Sequence, residues 1–208
     1  MILDSLAPGY CIPIRIGDGP SLSGPRIGGS GPIGVSPERL AEADYLLTLM
    51  LDDDHATEVS LFLNHDWWDF SDYYRCVLGE DEPWIEFVVH GSSERGLNNS
   101  RRSLLTPFSL IYGPAILDQQ GYFAEDGEAI PNSDHKIGGR PFIIKSETAF
   151  VNAIQKIEQN GFHQLFQLAF PGSRDANIAG DWPFGDGIFN LFFKREAGTY
   201  HWYYFWQF

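Results

Sequence analysis

Two Ile-Gly-Gly stretches, Ile27-Gly28-Gly29 and Ile137-Gly138-Gly139, stand 110 residues apart, and each opens the same succession of elements. After the first, Ser36-Pro37-Glu38 carries a helix start: a hydroxyl cap, a proline suited to the first turn and a carboxylate at the positive helix end. A short helix to about Ala43 is therefore expected. Tyr45 to Leu51, Val59 to Asn64 and Trp84 to His90 then read as strands, being rich in β-branched and aromatic residues and separated by acidic, turn-prone stretches. After the second stretch a helix is expected from near Ser146, because Phe150, Ile154 and Ile157 fall on one face and Asn160-Gly161 ends the pattern. Gln164 to Phe170, Ile188 to Lys194 and Tyr200 to Phe208 follow as strands. Five corresponding elements in one order predict an α+β fold, mostly antiparallel sheets with few helices, built from two divergent copies of one helix-plus-three-strand unit. The chain reads as a single domain over residues 1–208, with one copy at about 26–90, a connecting region at 91–133 and the second copy at about 134–208. The Gly-, Pro- and Ser-rich first twenty-five residues read as a wrapping segment whose one apolar stretch, Cys11 to Ile16, is expected at a sheet edge. Ser92 to Glu128 is expected to be a linker with one helix or irregular packing.

Charge narrows the partners. The formal net charge is -14 over 208 residues, which disfavours nucleic acid. The excess is also local, for residues 38 to 86 hold fourteen of the 28 acidic residues against only Arg39 and Arg75. Solvation alone does not need such segregation, whereas steering of a basic partner gains from it through faster encounter. Adjacent Trp67-Trp68 lies between Asp66 and Asp69; neighbours on an extended segment face opposite ways, so one indole is expected to point outward among charges, as interface anchors do. The aromatic tail Tyr200 to Trp206 reads instead as core, on a central strand covered on both faces.

Motifs for chemistry are few. No P-loop, dinucleotide fingerprint, HExxH, EF-hand loop or nucleophile elbow occurs, and the six histidines are scattered singly. Asp52-Asp53-Asp54-His55 is the sharpest metal candidate, but consecutive carboxylates in a loop diverge, and a solvated acidic turn is the better reading. No metal and no cofactor are implied. Two distant cysteines, Cys11 and Cys76, suit free thiols in a reducing compartment, and no apolar run reaches membrane-span length, so a cytoplasmic protein is expected.

His135-Lys136-Ile137-Gly138-Gly139-Arg140-Pro141, Leu165-Phe166-Gln167-Leu168 and Phe184-Gly185-Asp186-Gly187-Ile188-Phe189-Asn190-Leu191-Phe192-Phe193 follow a pattern of HKxGGxP, LLxQ and WGDxGxLYFF. In these stretches the chain resembles the YwqG-like family of uncharacterised bacterial proteins. The likeness spans residues 134 to 195, is faint over 26 to 64, and has Phe184 where the family has Trp. It implies an α+β fold with internal duplication but no active site. Such families resemble immunity proteins that accompany antibacterial toxins. The expected function is accordingly a non-enzymatic immunity protein that neutralises a cognate toxin, a basic enzyme such as a nuclease, through Asp52, Asp53, Asp54, Trp67, Trp68, Glu80, Asp81 and Glu82. The alternative is an enzyme or small-ligand binder using a cleft between the two halves, with Asp186 and His135 as its candidate groups.

Overall fold

A computed structural model describes residues 6–7, 9–17, 24–29, 31–32, 43–51, 57–64, 85–91, 97–98, 108–118, 135–142, 148–169 and 187–207. Its strands are β1 (Tyr10–Ile16), β2 (Arg26–Ile27), β3 (Gly31–Pro32), β4 (Ala43–Met50), β5 (Thr57–Asn64), β6 (Ile85–Gly91), β7 (Leu97–Asn98), β8 (Phe108–Tyr112), β9 (Ile116–Leu117), β10 (His135–Gly138), β11 (His163–Ala169), β12 (Ile188–Glu196) and β13 (Thr199–Gln207). One helix, α1 (Thr148–Gln159), is present among the described residues. All pairings are antiparallel, and the main sheet runs β13-β12-β11-β10-β1-β8-β2-β4-β5-β6, with β9 beside β1.

The two ends of that order come together. Phe87 of β6 stacks on Trp202 of β13, ring centroids 5.0 Å apart at 15°, and Tyr204 lies 5.8 Å away. The sheet thus curls into a nearly closed barrel sealed by aromatic side chains. Strand alternation sends Leu47, Leu49, Val59, Leu61, Phe166, Leu168, Phe189 and Leu191 into one shared interior. Burying each such side chain stabilises the fold by roughly 1.5–3 kcal/mol.

The expected α+β architecture is therefore corrected to a mostly antiparallel β fold. Both Ile-Gly-Gly stretches begin as strands, and the region read as a connector contributes β8 and β9 to the middle of the sheet. The helix expected over 36–43 lies outside the described residues except for Ala43, which starts β4. Cys11 to Ile16 is no edge: β1 sits between β10 and β8. Pro13, which has no N–H to give a ladder, lies where one extra residue shifts the pairing of β1 from β9 to β8, and its carbonyl accepts the Gly113 N–H at 2.8 Å. Tyr203, Tyr204 and Phe205 of the aromatic tail are core, yet β13 ends the strand order rather than occupying its centre. Tyr204 faces the barrel interior, while Tyr203 and Phe205 meet Ile154 and Ile157 of α1 on the outside.

Four-strand runs flank the β1 and β8 pair, β2-β4-β5-β6 on one side and β10-β11-β12-β13 on the other. Their registers correspond: Arg26 opposes Thr48, which opposes Ser60, and Lys136 opposes Gln167, which opposes Asn190. A register shift falls between Tyr45 and Leu47 in one run and between Gln164 and Phe166 in the other. Each run thus carries, on the face away from the barrel interior, a buried row of one cation and two hydrogen-bonding side chains.

In the first run the row closes on itself. Tyr45 Oη lies 2.8 Å from Thr48 Oγ1, Thr48 Oγ1 lies 2.7 Å from Ser60 Oγ, and the Arg26 guanidinium sits 5.4 Å from the centre of the Tyr45 ring. Gly31 passes close above, for a Cβ there would come within 3.3 Å of the Phe62 ring and 3.5 Å of Tyr45. Burial pushes the Tyr45 phenol up from 10.0 to about 12. The folded state keeps that proton after the unfolded chain has lost it, so Tyr45's contribution is intact below pH 10.0 and is lost as pH rises towards about 12. Stability of the parent should fall by about 1.4 kcal/mol per pH unit more than that of Tyr45→Phe across this window, measured by urea unfolding. Parallel curves would mean that the phenol is solvated.

Candidate functional site: the Gly-Gly turn after β10 and its cleft

The second cation row begins in the stretch His135-Lys136-Ile137-Gly138-Gly139-Arg140-Pro141, and almost every residue there has a visible task. Lys136, 1% exposed, donates from Nζ to Asp118 Oδ2 at 2.9 Å, and Asp118 is itself only 4% exposed. The same oxygen accepts the Arg140 N–H at 2.8 Å. Gly138 and Gly139 have φ of 70° and 73°, the left-handed region that costs glycine least. At Gly139 a Cβ would also collide with the Asp118 carboxylate and lie 2.9 Å from Cys11 Cβ. The turn is thus wrapped around a carboxylate belonging to the end of β9. Desolvation, reinforced by the Asp118 charge and opposed by Lys136, holds the neighbouring Cys11 thiol above its usual range and keeps it protonated.

Two more residues lock the turn to β11. Gln167 Oε1 accepts the Phe142 N–H at 2.8 Å, and His135 Nδ1 accepts the Ala169 N–H at 3.2 Å. His135 is 2% exposed, so its ring is part of the packing rather than presented to substrate. The glutamine shared with the LLxQ pattern, Gln167, is likewise a backbone cap.

On its outer side this turn lines a cleft of about 520 Å³, bounded by Leu6, Ala7, Gly9 and Tyr10, the end of α1 and the start of β11. Gly161, φ 80°, ends α1, with its N–H on Glu158 and the Phe162 N–H on Ile157, and so delivers Phe162 and His163 to the opening. Tyr10, Phe162 and Phe193 form aromatic walls, and Arg140, Glu158 and His163 are exposed charged or titratable groups at its rim. Gln164 lies beneath, 6% exposed. Its Nε2 donates to Asn190 Oδ1 at 3.3 Å, while its own Oε1 and Asn190 Nδ2 are buried without hydrogen bonds.

No family model, curated protein or solved structure matches this chain.

None of the groups expected to contact a partner, Asp52, Asp53, Asp54, Trp67, Trp68, Glu80, Asp81 and Glu82, falls within the described residues, nor does Asp186. Their points of attachment do. Asp52 to Asp54 lie between Leu51 and Thr57, at the start of β5, whereas 65–84 lie between Asn64 and Ile85, at its other end. Along an eight-residue strand those ends are roughly 23 Å apart at ~3.3 Å per residue. The two groups are therefore tethered to opposite ends of β5. Among the described residues no three His, Cys, Asp or Glu side chains gather as a metal site, and no helix is long and apolar enough to cross a membrane.

The cleft was missed in the sequence because its residues come from five separate stretches. The one local signal, two consecutive glycines before Arg140, speaks equally for a tight turn with no cavity behind it.

Proposed function

We propose that this chain is a binding protein of the immunity type, which neutralises a basic enzyme such as a nuclease in the bacterial cytoplasm. The observation that carries the reading is where the acid sits. Of the fourteen acidic residues in 38–86, Asp44, Glu58 and Glu86 fall on strands, and the first two are buried; the other eleven fall in the sequence between strands. Acidic stretches of sequence joined to a curled sheet suit recognition, in which the scaffold limits the entropy lost on binding. Acidic segments meeting a surface built for phosphates would occlude it sterically and electrostatically. Likeness to the YwqG-like family over residues 134–195 supports the same reading by analogy. The corresponding registers of the two four-strand runs support descent from one duplicated segment.

Co-expression with a toxin encoded by a neighbouring gene is the direct test, and failure to protect the host or to co-purify would overturn the proposal. Given a partner, reversing Asp52, Asp53 and Asp54 to Lys should slow association about tenfold at low salt, with the difference shrinking as ionic strength rises. Because the two acidic groups are attached at opposite ends of β5, their reversals should add to within about 0.5 kcal/mol if both touch the partner. An association rate unchanged by the triple reversal removes residues 52–54 from the interface.

A further inference from the structure

We infer that the outer edge of β6, facing β13 across the seam of the barrel, takes up an extended strand of a basic protein partner. This deepens the partner-binding proposal and rests on it, naming the backbone that the partner meets. The main sheet ends at β6 and β13, and among the described residues no backbone pairing joins the two; the rings of Phe87, Trp202 and Tyr204 meet across the seam instead. Which groups of β6 face that seam follows from register. The Leu51 N–H donates to the Thr57 carbonyl at 2.9 Å, so the backbone groups of Thr57, Val59 and Leu61 turn to β4 and those of Glu58, Ser60 and Phe62 turn to β6. His90, Val88 and Glu86 stand opposite the latter three and direct their N–H and C=O groups at β5. Those of Phe87 and Val89 therefore point away from β5, towards the seam.

Natural proteins blunt such edges with proline, lysine or a bulge, because an open row of donors and acceptors invites another chain. None of the three occurs in β6. Its sequence, Ile85-Glu86-Phe87-Val88-Val89-His90-Gly91, pairs with β5 without a register shift, and Val89, on the same face as the buried Val59, is 36% exposed. Charge selects the occupant. Thr57 pairs with Gly91 and Leu63 with Ile85, so the acidic residues 52–54 are attached beside one end of β6 and the acidic stretch 65–84 at the other. Seven residues span roughly 23 Å at ~3.3 Å each, so a strand laid along β6 runs from one acidic stretch to the other, and one partner can engage both. A second copy of this chain, itself at -14, is repelled from that place, whereas a strand with an apolar middle and basic ends is drawn to it. Main-chain hydrogen bonds to Phe87 and Val89 supply the affinity, and alternate side chains of the added strand rest against the half-buried Phe87 and Trp202.

The probe is a synthetic peptide of seven alternating valines and threonines between pairs of lysines, titrated into the full chain and followed by NMR. Saturable shifts are expected at Phe87 and Val89, with exchange of their amide hydrogens slowed at least about tenfold in the complex. Replacing the lysines by glutamates should weaken binding at least about tenfold at low salt, a gap that narrows as ionic strength rises. Val89→Pro removes a seam-facing N–H and no bond to β5, so it should abolish binding while lowering Tm by about 4 °C or less. Val89→Lys, which keeps the backbone donor and sets a like charge in the strand's path, is the second variant and should weaken the lysine-ended peptide about tenfold. Absence of saturable shifts up to about 1 mM peptide overturns the inference, as does equal binding of the glutamate-ended peptide or a folded Val89→Pro protein that binds as the parent does. Slow exchange of the Phe87 and Val89 amides in the free, dilute chain would give the edge to the chain itself, and protection that grows with protein concentration would give it to a second copy; either overturns it too. A toxin neutralised while these two amides stay unprotected sinks this inference alone. A peptide bound along β6 with no toxin neutralised sinks the immunity reading alone.

Discussion

Asp118→Asn is expected to lower the unfolding free energy by about 3–5 kcal/mol, because it leaves the Lys136 ammonium, 1% exposed, without its counter-charge. The cost is large because the pair is enclosed. Lys136 reaches Asp118 Oδ2 at 2.9 Å, the Arg140 N–H occupies the same oxygen, and Gly139 and Cys11 close over it. An exposed pair of the same length would contribute about 0–1 kcal/mol. The enclosed pair need not be a net stabiliser against an apolar substitute, since both ions were taken from water to make it. Asp118→Leu combined with Lys136→Met should therefore lie closer to the parent than the sum of the two single changes. Urea midpoints at an unchanged m-value measure all five proteins. A loss below about 1 kcal/mol for Asp118→Asn would show that water reaches the pair and that the turn is not held by it.

Trp202→Ala is expected to cost about 3 kcal/mol and to act across the seam rather than only on its own strand. In a flat sheet with β13 and β6 at opposite edges, the substitution would leave β6 unaffected. In the curled sheet Trp202 stacks on Phe87 at 5.0 Å and lies beside Phe193 and Tyr200, at 6.4 and 5.7 Å. Hydrogen exchange should consequently accelerate in β6 as well as in β13, while α1, packed against Phe192, Tyr203 and Phe205 on the outside, keeps its protection. A change within about 0.5 kcal/mol, the range of ordinary surface substitutions, with β6 unaltered would mean that the barrel is open at this seam.

The candidate site was legible in parts. Gly138 and Gly139 could be read as a turn from their residue type alone, and their positive φ angles explain the choice of glycine. That Gly139 also clears space for a carboxylate could not be read, because Asp118 is far away in sequence and carries no motif of its own. His135, singled out as a possible chemical group, is buried and bonded to the Ala169 N–H, a role no isolated histidine announces. Acidity of the 38–86 stretch was plain, but its attachment to opposite ends of β5 required knowing that 57–64 is one strand paired on both sides.

Local pattern determined the seven strands of seven or more residues to within about two residues, and the helix near 148–159 with its glycine stop. Alternation and helical periodicity are properties of neighbours in the chain, so they survive without any knowledge of the fold. Tertiary structure alone decided that β1 and β8 join two four-strand runs, that the outermost strands meet through Phe87 and Trp202, and that Lys136 finds Asp118. Each of those depends on contacts between distant residues whose energies come from burial, and burial is a property of the closed barrel rather than of any segment within it.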